Sequence, residues 1–533
     1  MGLIDRLLEV LSLGAGALLG GGVLLAHGLR RGGLRWSWAL LGVPVSLLVL
    51  GRMNGLLGAA GCVVCVLAGG LGARWQQADL AAGADLAQRA RARLGVVQAL
   101  RLALERGGEL DGAEGWLRGG WLEIGRGEHR RRVWMPAGGA AGSHALIVGA
   151  TGSGKTVSEA WIAGRLIESG HGAVVLDPKG DALLERELRA AAARRGARFL
   201  QWSPEGPVAY NPYARGSHSE IADKALAGER FTEPHYLRQA QRYVAQLVGA
   251  MQVAGVPLSA VSLAERMPPV ELEALARGLP VEHAQRVHAY LDSLGERQQR
   301  ELAGVRDRLA ILAESDARPW LQPGEGRPEL DLQAAVRERA VVYFRLDADR
   351  RLLLSGQLAG AVVIDLVTLV AELQQRPTPT VVVLDEFAAI ASGQVARLFG
   401  RARSAGVSVI LATQELADLK TAAAGGALRE QVLGNVETIL AHRQNVPESA
   451  ELLASIAATR PVWLTSQQTR RRRLLLGELA GGRGSRRRGE EYEIHPTRIK
   501  RLASGQALLI TPGQAQRPGV VQVHSPDDAH PGR

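Results

Sequence analysis

Gly149-Ala150-Thr151-Gly152-Ser153-Gly154-Lys155-Thr156 arranges glycines, a lysine and a hydroxyl as G-x-x-x-x-G-K-[ST], directly after the apolar run Ala145–Val148. That spacing builds a phosphate-binding loop: the glycines let the backbone turn its N–H groups inward, toward anionic oxygens at the start of the following helix. Lys155 is expected to reach the β- and γ-phosphates of a nucleotide, and Thr156 to ligate Mg²⁺ through its hydroxyl. Chance matches occur in a chain with 65 glycines. Here, however, all the fixed positions are filled, a strand precedes the loop and a helical pattern follows it.

A second acidic element supplies what the loop lacks. Val381-Val-Val-Leu384 is a strand pattern ending in Asp385 and Glu386. Asp385 is expected to complete the Mg²⁺ site with Thr156, and Glu386 to polarise the water that attacks the γ-phosphate. Two acids after a strand also serve as a helix N-cap, and the upstream loop favours the catalytic reading. Gln414, after the strand Val407–Ala412, is placed either to sense the γ-phosphate or simply to begin a helix. Arg401 and Arg403 are candidates for positive charge delivered across a subunit contact; residues two apart face differently on a helix, so at most one can act, and both also fit solvated surface.

The elements that must hold these groups are short apolar runs alternating with helical ones, at 173–176, 340–344, 381–384, 407–411, 438–441 and 507–510. Runs apolar on both faces predict a largely parallel sheet covered by helices, an α/β fold. Residues 213–335 interrupt this pattern with helical spacing broken at Pro257, Pro268-Pro269, Pro280 and Pro319, which predicts an all-helical insertion. Upstream, Trp121–Gly125 and Arg132–Met135 alternate around Gly127 as a hairpin.

The N-terminal residues differ in kind. Val10–Leu29, Trp36–Gly51 and Met53–Ala73 contain no Asp, Glu, Lys or Arg apart from Arg52 between the last two, and the outer two approach the roughly 20 residues of a spanning helix. Pro44 shortens the middle one, leaving two or three spans. Arginines at 30, 31 and 35 and at 74, 89, 91 and 93 mark cytoplasmic flanks; with three spans the N-terminus lies outside. Cys62 and Cys65 sit within the last apolar run, where packing explains them better than redox or metal chemistry. The twelve histidines show no ligand spacing, so no zinc site is expected.

The resulting division is 1–76, transmembrane helices; 77–140, a membrane-proximal basic helix and hairpin; 141–212 and 336–520, the two parts of the nucleotide-binding domain; 213–335, the insertion; and 521–533, a polar tail. The stretch Gly477–Gly489 reads as a low-complexity loop. A formal charge of +11 suits a polyanionic partner, nucleic acid or anionic lipid, and the runs Arg470–Arg473 and Arg486–Arg488 are either solvated loops or contacts to such phosphates.

Together these residues resemble the coupling-protein ATPases of conjugation and type IV secretion, the VirD4/TraG/TraD family. The resemblance is carried by the apolar N-terminus, His144, the phosphate loop, Asp177-Pro178-Lys179-Gly180-Asp181, Tyr210-Asn211-Pro212, Leu384-Asp385-Glu386-Phe387, Arg403-Ser-Ala-Gly406, Ala412-Thr413-Gln414 and Arg501-Leu-Ala-Ser-Gly-Gln-Ala-Leu508 in that order. It implies a RecA-like motor forming a homo-hexamer on the bacterial inner membrane, with the motor in the cytoplasm. ATP would lie at the subunit contacts, and Arg403 would act across them. It further implies delivery of single-stranded DNA with its relaxase to a type IV secretion channel. A double-stranded DNA translocase of the FtsK or HerA kind, and a coupling factor for protein secretion alone, are the alternatives. The short gap between spans departs from relatives with a larger periplasmic part.

Overall fold

The computed structural model describes residues 17–29, 37–50, 52, 55–81, 116–127, 131–139, 141–227, 234–322, 324, 326–390, 394–421, 428–467, 484–514 and 516–529. The chain divides into two compact units, Met1–Glu114 with Arg460–Glu491, and Gly115–Thr459 with Tyr492–Arg533. Its strands are β1 (Leu117–Arg118), β2 (Trp121–Gly127), β3 (Arg132–Pro136), β4 (Ala145–Val148), β5 (Gly172–Asp177), β6 (Phe199–Trp202), β7 (Val341–Arg345), β8 (Thr380–Leu384), β9 (Val407–Thr413), β10 (Thr438–Ala441), β11 (Thr459–Gln467), β12 (Gly484–Tyr492), β13 (Gln506–Ile510) and β14 (Gly519–Val523).

In the first unit, Gly55–Trp75 is long and apolar enough to cross a membrane and is only 22% buried, with Leu56 81% exposed as a lipid-facing side chain would be. The apolar helices Ala17–Leu29 and Ser37–Leu50 are shorter. Pro44 offers no amide to its helix, and the turns just beyond it, Ser46–Leu50, widen to π-helix. Small residues bring these helices close: a Cβ on Gly42 would lie 2.7 Å from Cys65 Sγ, and one on Gly61 would lie 2.9 Å from Ser46 Oγ. Cys62 donates to the Val43 carbonyl at 3.7 Å. Both cysteines thus pack between helices. The arginines at 30, 31, 35, 89, 91 and 93, and the basic helix expected beyond residue 81, lie outside the described residues.

The second hydrophobic helix, Leu352–Leu373, passes the same length and apolarity test but is 78% buried in the other unit, where it covers the sheet. That sheet runs β1-β2-β14-β13-β10-β4-β9-β8-β5-β7-β6, with β3 on β2. From β10 to β6 every pairing is parallel, while β13, β14, β2, β1 and β3 join antiparallel, so the sheet is mixed. Side chains alternate between two cores: Leu146 and Val148 face the one closed by Leu352–Leu373, Ala145 and Ile147 the one closed by the helices Lys155–Glu168 and Ala182–Arg195. Between β6 and β7 the described residues hold helices and no strand, the longest Pro234–Val253 and Glu296–Ala313. Pro268 and Pro280 sit at helix N-caps there, because a residue without an amide donor costs nothing where no intrahelical acceptor exists.

Three sequence expectations need correction. Residues 484–489, read as loop, belong to β12, which pairs with β11 and is joined to it by an Arg460–Glu491 ion pair of 2.9 Å; its glycines and arginines disguised a paired hairpin. Arg487 and Arg488 are exposed on that strand, and 470–473 lie outside the described residues. The boundary drawn at 520 cuts β14, whose Val521 and Val523 are buried between β13 and β2. His524, assigned to a polar tail, is buried with Nε2 3.2 Å from Glu123 Oε1, its ring 4.9 Å from that of Trp161. Finally, β6 adds a parallel edge strand absent from the sequence reading.

Candidate functional site

The carboxyl ends of β4, β5, β8 and β9 meet at one edge of the sheet, the edge where open α/β sheets bind ligands. The loop leaving β4 is pinned between its neighbours: Gly149 N–H donates to Thr413 O (3.2 Å) and Ala150 N–H to Arg443 O (2.9 Å). A Cβ at Gly149 would lie 2.5 Å from His442 Cβ, so only glycine fits. Gly152 and Gly154 take φ of 72° and 110°, the left-handed region that favours glycine. Lys155 is buried and donates to Gly149 O at 2.7 Å, closing the loop over itself.

This loop fits a phosphate chain. The helix Lys155–Glu168 begins at Gly154 with no side-chain cap, so its first N–H groups have no partner supplied by a cap. The buried Ser153 hydroxyl also has no hydrogen-bond partner. Thr156 stands on the helix's first turn, half-buried. Among the described residues no three acidic, histidine or cysteine side chains form a metal cluster. Thr156 and Asp385 would hold a Mg²⁺ ion together with phosphate oxygens and water, the usual manner of that ion.

Asp385 and Glu386 follow β8. The Asp385 carboxyl is pushed up to about 6 by burial and by the Asp177 charge, partly offset by the Glu386 N–H that donates to its Oδ1 at 2.7 Å. Glu386 adopts φ of 43°, strained for a residue with a side chain, and strain of this kind collects at functional sites. Its two oxygens are held separately: Lys179 Nζ donates to Oε2 at 2.8 Å, and Gln414 Nε2 donates to Oε1. Gln414 in turn accepts from Thr151 Oγ1 at 3.2 Å, so one amide links the phosphate loop to the carboxylate. Arg403 is placed otherwise. It pairs with Glu437 of its own chain, half-exposed, and among the described contacts neither it nor Arg401 touches its own phosphate loop.

Residues whose roles the sequence left open acquire them here. Asp177 accepts from the N–H groups of Lys179 (2.9 Å), Gly180 (2.7 Å) and Asp181 (2.6 Å) and from the Tyr343 hydroxyl, which folds the segment so that Lys179 meets Glu386. Burial disfavours the charged Lys179 amine, but the bond to Glu386 more than offsets this and raises it overall. Asp181 caps the helix Ala182–Arg195 through Leu183 N–H at 2.8 Å.

Two further groups were missed. Glu159, one turn after Lys155, is fully buried; burial and the Asp385 charge hold its carboxyl well above the usual range against the pull of Lys155. The signal was an acid set directly before the apolar stretch Ala160-Trp161-Ile162. His442, just past β10, bonds Ser158 Oγ (2.9 Å) and Gln506 O (3.0 Å) and so ties the helix to β13.

His144 yields a test. Its ring accepts from Val409 N–H (3.1 Å) and meets Phe399 O (3.1 Å), and burial lowers it to about 4 from 6.5, partly offset by that carbonyl. The unfolded ring takes a proton near pH 6.5 and the folded one only near 4, so its contribution is whole above 6.5 and lost as pH falls toward 4. The stability margin of wild type over His144→Gln should narrow by up to about 3 kcal/mol between about pH 7.5 and about pH 4. Thermal unfolding of both proteins across that range checks it; a constant margin refutes it.

A family model described as Type IV secretory system Conjugative DNA transfer matches residues 83–214, and one described as TraM recognition site of TraD and TraG matches 379–504. The chain belongs to the coupling-protein family of conjugation and type IV secretion. The first match contains the phosphate loop and Asp177–Asp181, the second Asp385, Glu386, Arg403 and Gln414. Among solved structures, the bacterial conjugative coupling protein TrwB without its first 70 residues, in an unbound form, superposes with a TM-score of 0.56 at 15% identity, over 77% of this chain and 94% of that one. TrwB in complex with ADP and Mg²⁺ gives a TM-score of 0.53 at 16% identity, over 72% and 85%. The coupling protein thus shares TrwB's RecA-like fold. No curated protein matches it.

Proposed function

We propose that this coupling protein is a membrane-anchored ATPase that moves single-stranded DNA, with its relaxase, toward a type IV secretion channel. The observation that carries the enzymatic part is the linkage of Glu386 through Gln414 to Thr151, which couples the residue that would orient water to the loop that would hold phosphate. ATP and Mg²⁺ supply the transferable γ-phosphoryl group and the charge that offsets its oxygens. Gly149–Thr156 would hold the phosphates, with Thr156 and Asp385 on the Mg²⁺ side. Lys155 would leave Gly149 O for the phosphates. Arg403 would complete a neighbour's site in a homo-hexamer.

The apolar helix Gly55–Trp75 supports anchoring in the inner membrane, with the motor on the cytosolic side where ATP is available. The excess of 64 Lys and Arg over 53 Asp and Glu favours a polyanion as cargo. We assign substrate reception to the helical residues 213–335.

The test is ATP hydrolysis by the full chain in detergent, with single- or double-stranded DNA, over a range of protein concentration and beside Lys155→Ala. Stimulation by single-stranded DNA that rises steeply with concentration and is lost in the variant supports the reading. Preference for double strands, or indifference to DNA, overturns it in favour of double-strand pumping or protein export respectively.

A further inference from the structure

The Lys179 side chain touches Glu386 and, among the described contacts, no residue of the phosphate loop. The turn that carries it is rigid. Asp177 ends β5 fully buried, and its carboxylate takes up the N–H groups of Lys179, Gly180 and Asp181. The stretch after β7 grips the same turn from the other side, with Leu346 N–H donating to Asp177 O at 3.0 Å and Ala348 N–H to Pro178 O at 2.7 Å. Gly180 completes the turn at φ of 74°, where a Cβ would stand 2.7 Å from Arg345 Nε.

From that fixed turn one ammonium reaches across from β5 to β8. The Lys179 side chain is 45% exposed, so little packing holds its stem, and the 2.8 Å ion pair with Glu386 Oε2 fixes its head. Glu386 needs such a partner. It follows Asp385 directly, and Asp177 ends the neighbouring strand, so an acid is held among acids where like charges repel. Its left-handed backbone adds strain that only the surrounding structure can hold. Gln414 gives the other oxygen a neutral donor; of the two grips, Lys179 alone brings charge.

We propose that Lys179 is the positioning residue for Glu386: it holds the carboxylate in the direction that meets the attacking water, and it acts on hydrolysis through Glu386 alone. The assignment rests on the reading that Glu386 handles that water. It divides two tasks at one carboxylate. Gln414 ties Glu386 to the phosphate loop through Thr151, whereas Lys179 ties it to the body of the sheet, so Lys179 matters to turnover and not to nucleotide affinity. A carboxylate displaced by about an ångström from its water costs about a hundredfold in rate.

The test is a double-mutant cycle on the full chain in detergent: single-turnover ATP hydrolysis by wild type, Lys179→Met, Glu386→Gln and the double variant, beside equilibrium binding of a non-hydrolysable ATP analogue. Lys179→Met keeps the length of the stem and removes the charge. It should lower the wild-type rate about a hundredfold, leave analogue affinity within a few-fold, and cost nothing further once Glu386 is replaced. A lysine that only supports the fold would slow both backgrounds by the same factor. Equal factors in both backgrounds therefore overturn the assignment, as does an unchanged rate in Lys179→Met or a loss of affinity as large as the loss of rate. Wild type that binds the analogue but does not hydrolyse ATP would overturn the role of Glu386 in hydrolysis, and the positioning role with it.

Discussion

Glu386→Gln is expected to leave ATP affinity within a few-fold of wild type and to lower turnover by about a thousandfold, the range for loss of a group that handles the attacking water. The substitution preserves size and removes charge. In the folded chain Glu386 receives one bond from Lys179 and one from Gln414, so its position is fixed before any water arrives. Its backbone lies in the left-handed region, φ of 43°, strain of the kind that collects at functional sites. The substituted amide would keep a carbonyl oxygen for Lys179 or Gln414 but could not accept a proton from water. Equilibrium binding of a non-hydrolysable ATP analogue beside steady-state hydrolysis separates the two effects. A loss of affinity as large as the loss of turnover would assign Glu386 to binding instead.

Much of this geometry was legible because the chemistry is local. Gly149–Thr156 and Asp385-Glu386 each follow a buried strand, and the order of those strands in the sheet brings the two stretches together. Lys179 was not legible as a partner of Glu386, since 207 positions separate them and only the pairing of β5 with β8 makes them neighbours. His442 was hidden for the same reason: β10 reaches the loop through β4, a contact no short pattern encodes. The edge strand β6, Phe199-Leu-Gln-Trp202, has Gln201 within it and so lacks the unbroken apolar run that marks the equally short β4. β14 was lost because its run Gly519-Val-Val-Gln-Val523 abuts a polar tail, although its valines are buried between β13 and β2. Residues 484–489 show the converse error, where composition was read as a loop but backbone pairing in β12 decided the structure.

Arg403→Ala is expected to lower turnover by about a thousandfold as well, and to do so from the neighbouring subunit. Within one chain the guanidinium pairs with Glu437 and lies half-exposed. A pair that exposed is worth about 0–1 kcal/mol. It can therefore yield to the larger charge of a nucleotide presented by another copy, and the gain appears only when the copies assemble. That geometry makes complementation decisive. Lys155→Ala subunits lack phosphate binding but keep Arg403, and Arg403→Ala subunits keep a complete loop but lack the arginine. Each alone should be inactive; mixed, they should recover a measurable share of wild-type hydrolysis, because the Arg403→Ala loop then faces an intact arginine. Mixtures as inactive as their components, under conditions where wild type assembles and hydrolyses ATP, would mean that Arg403 serves only its own chain, through Glu437 and the carbonyl that accepts Gly142 N–H at 2.9 Å.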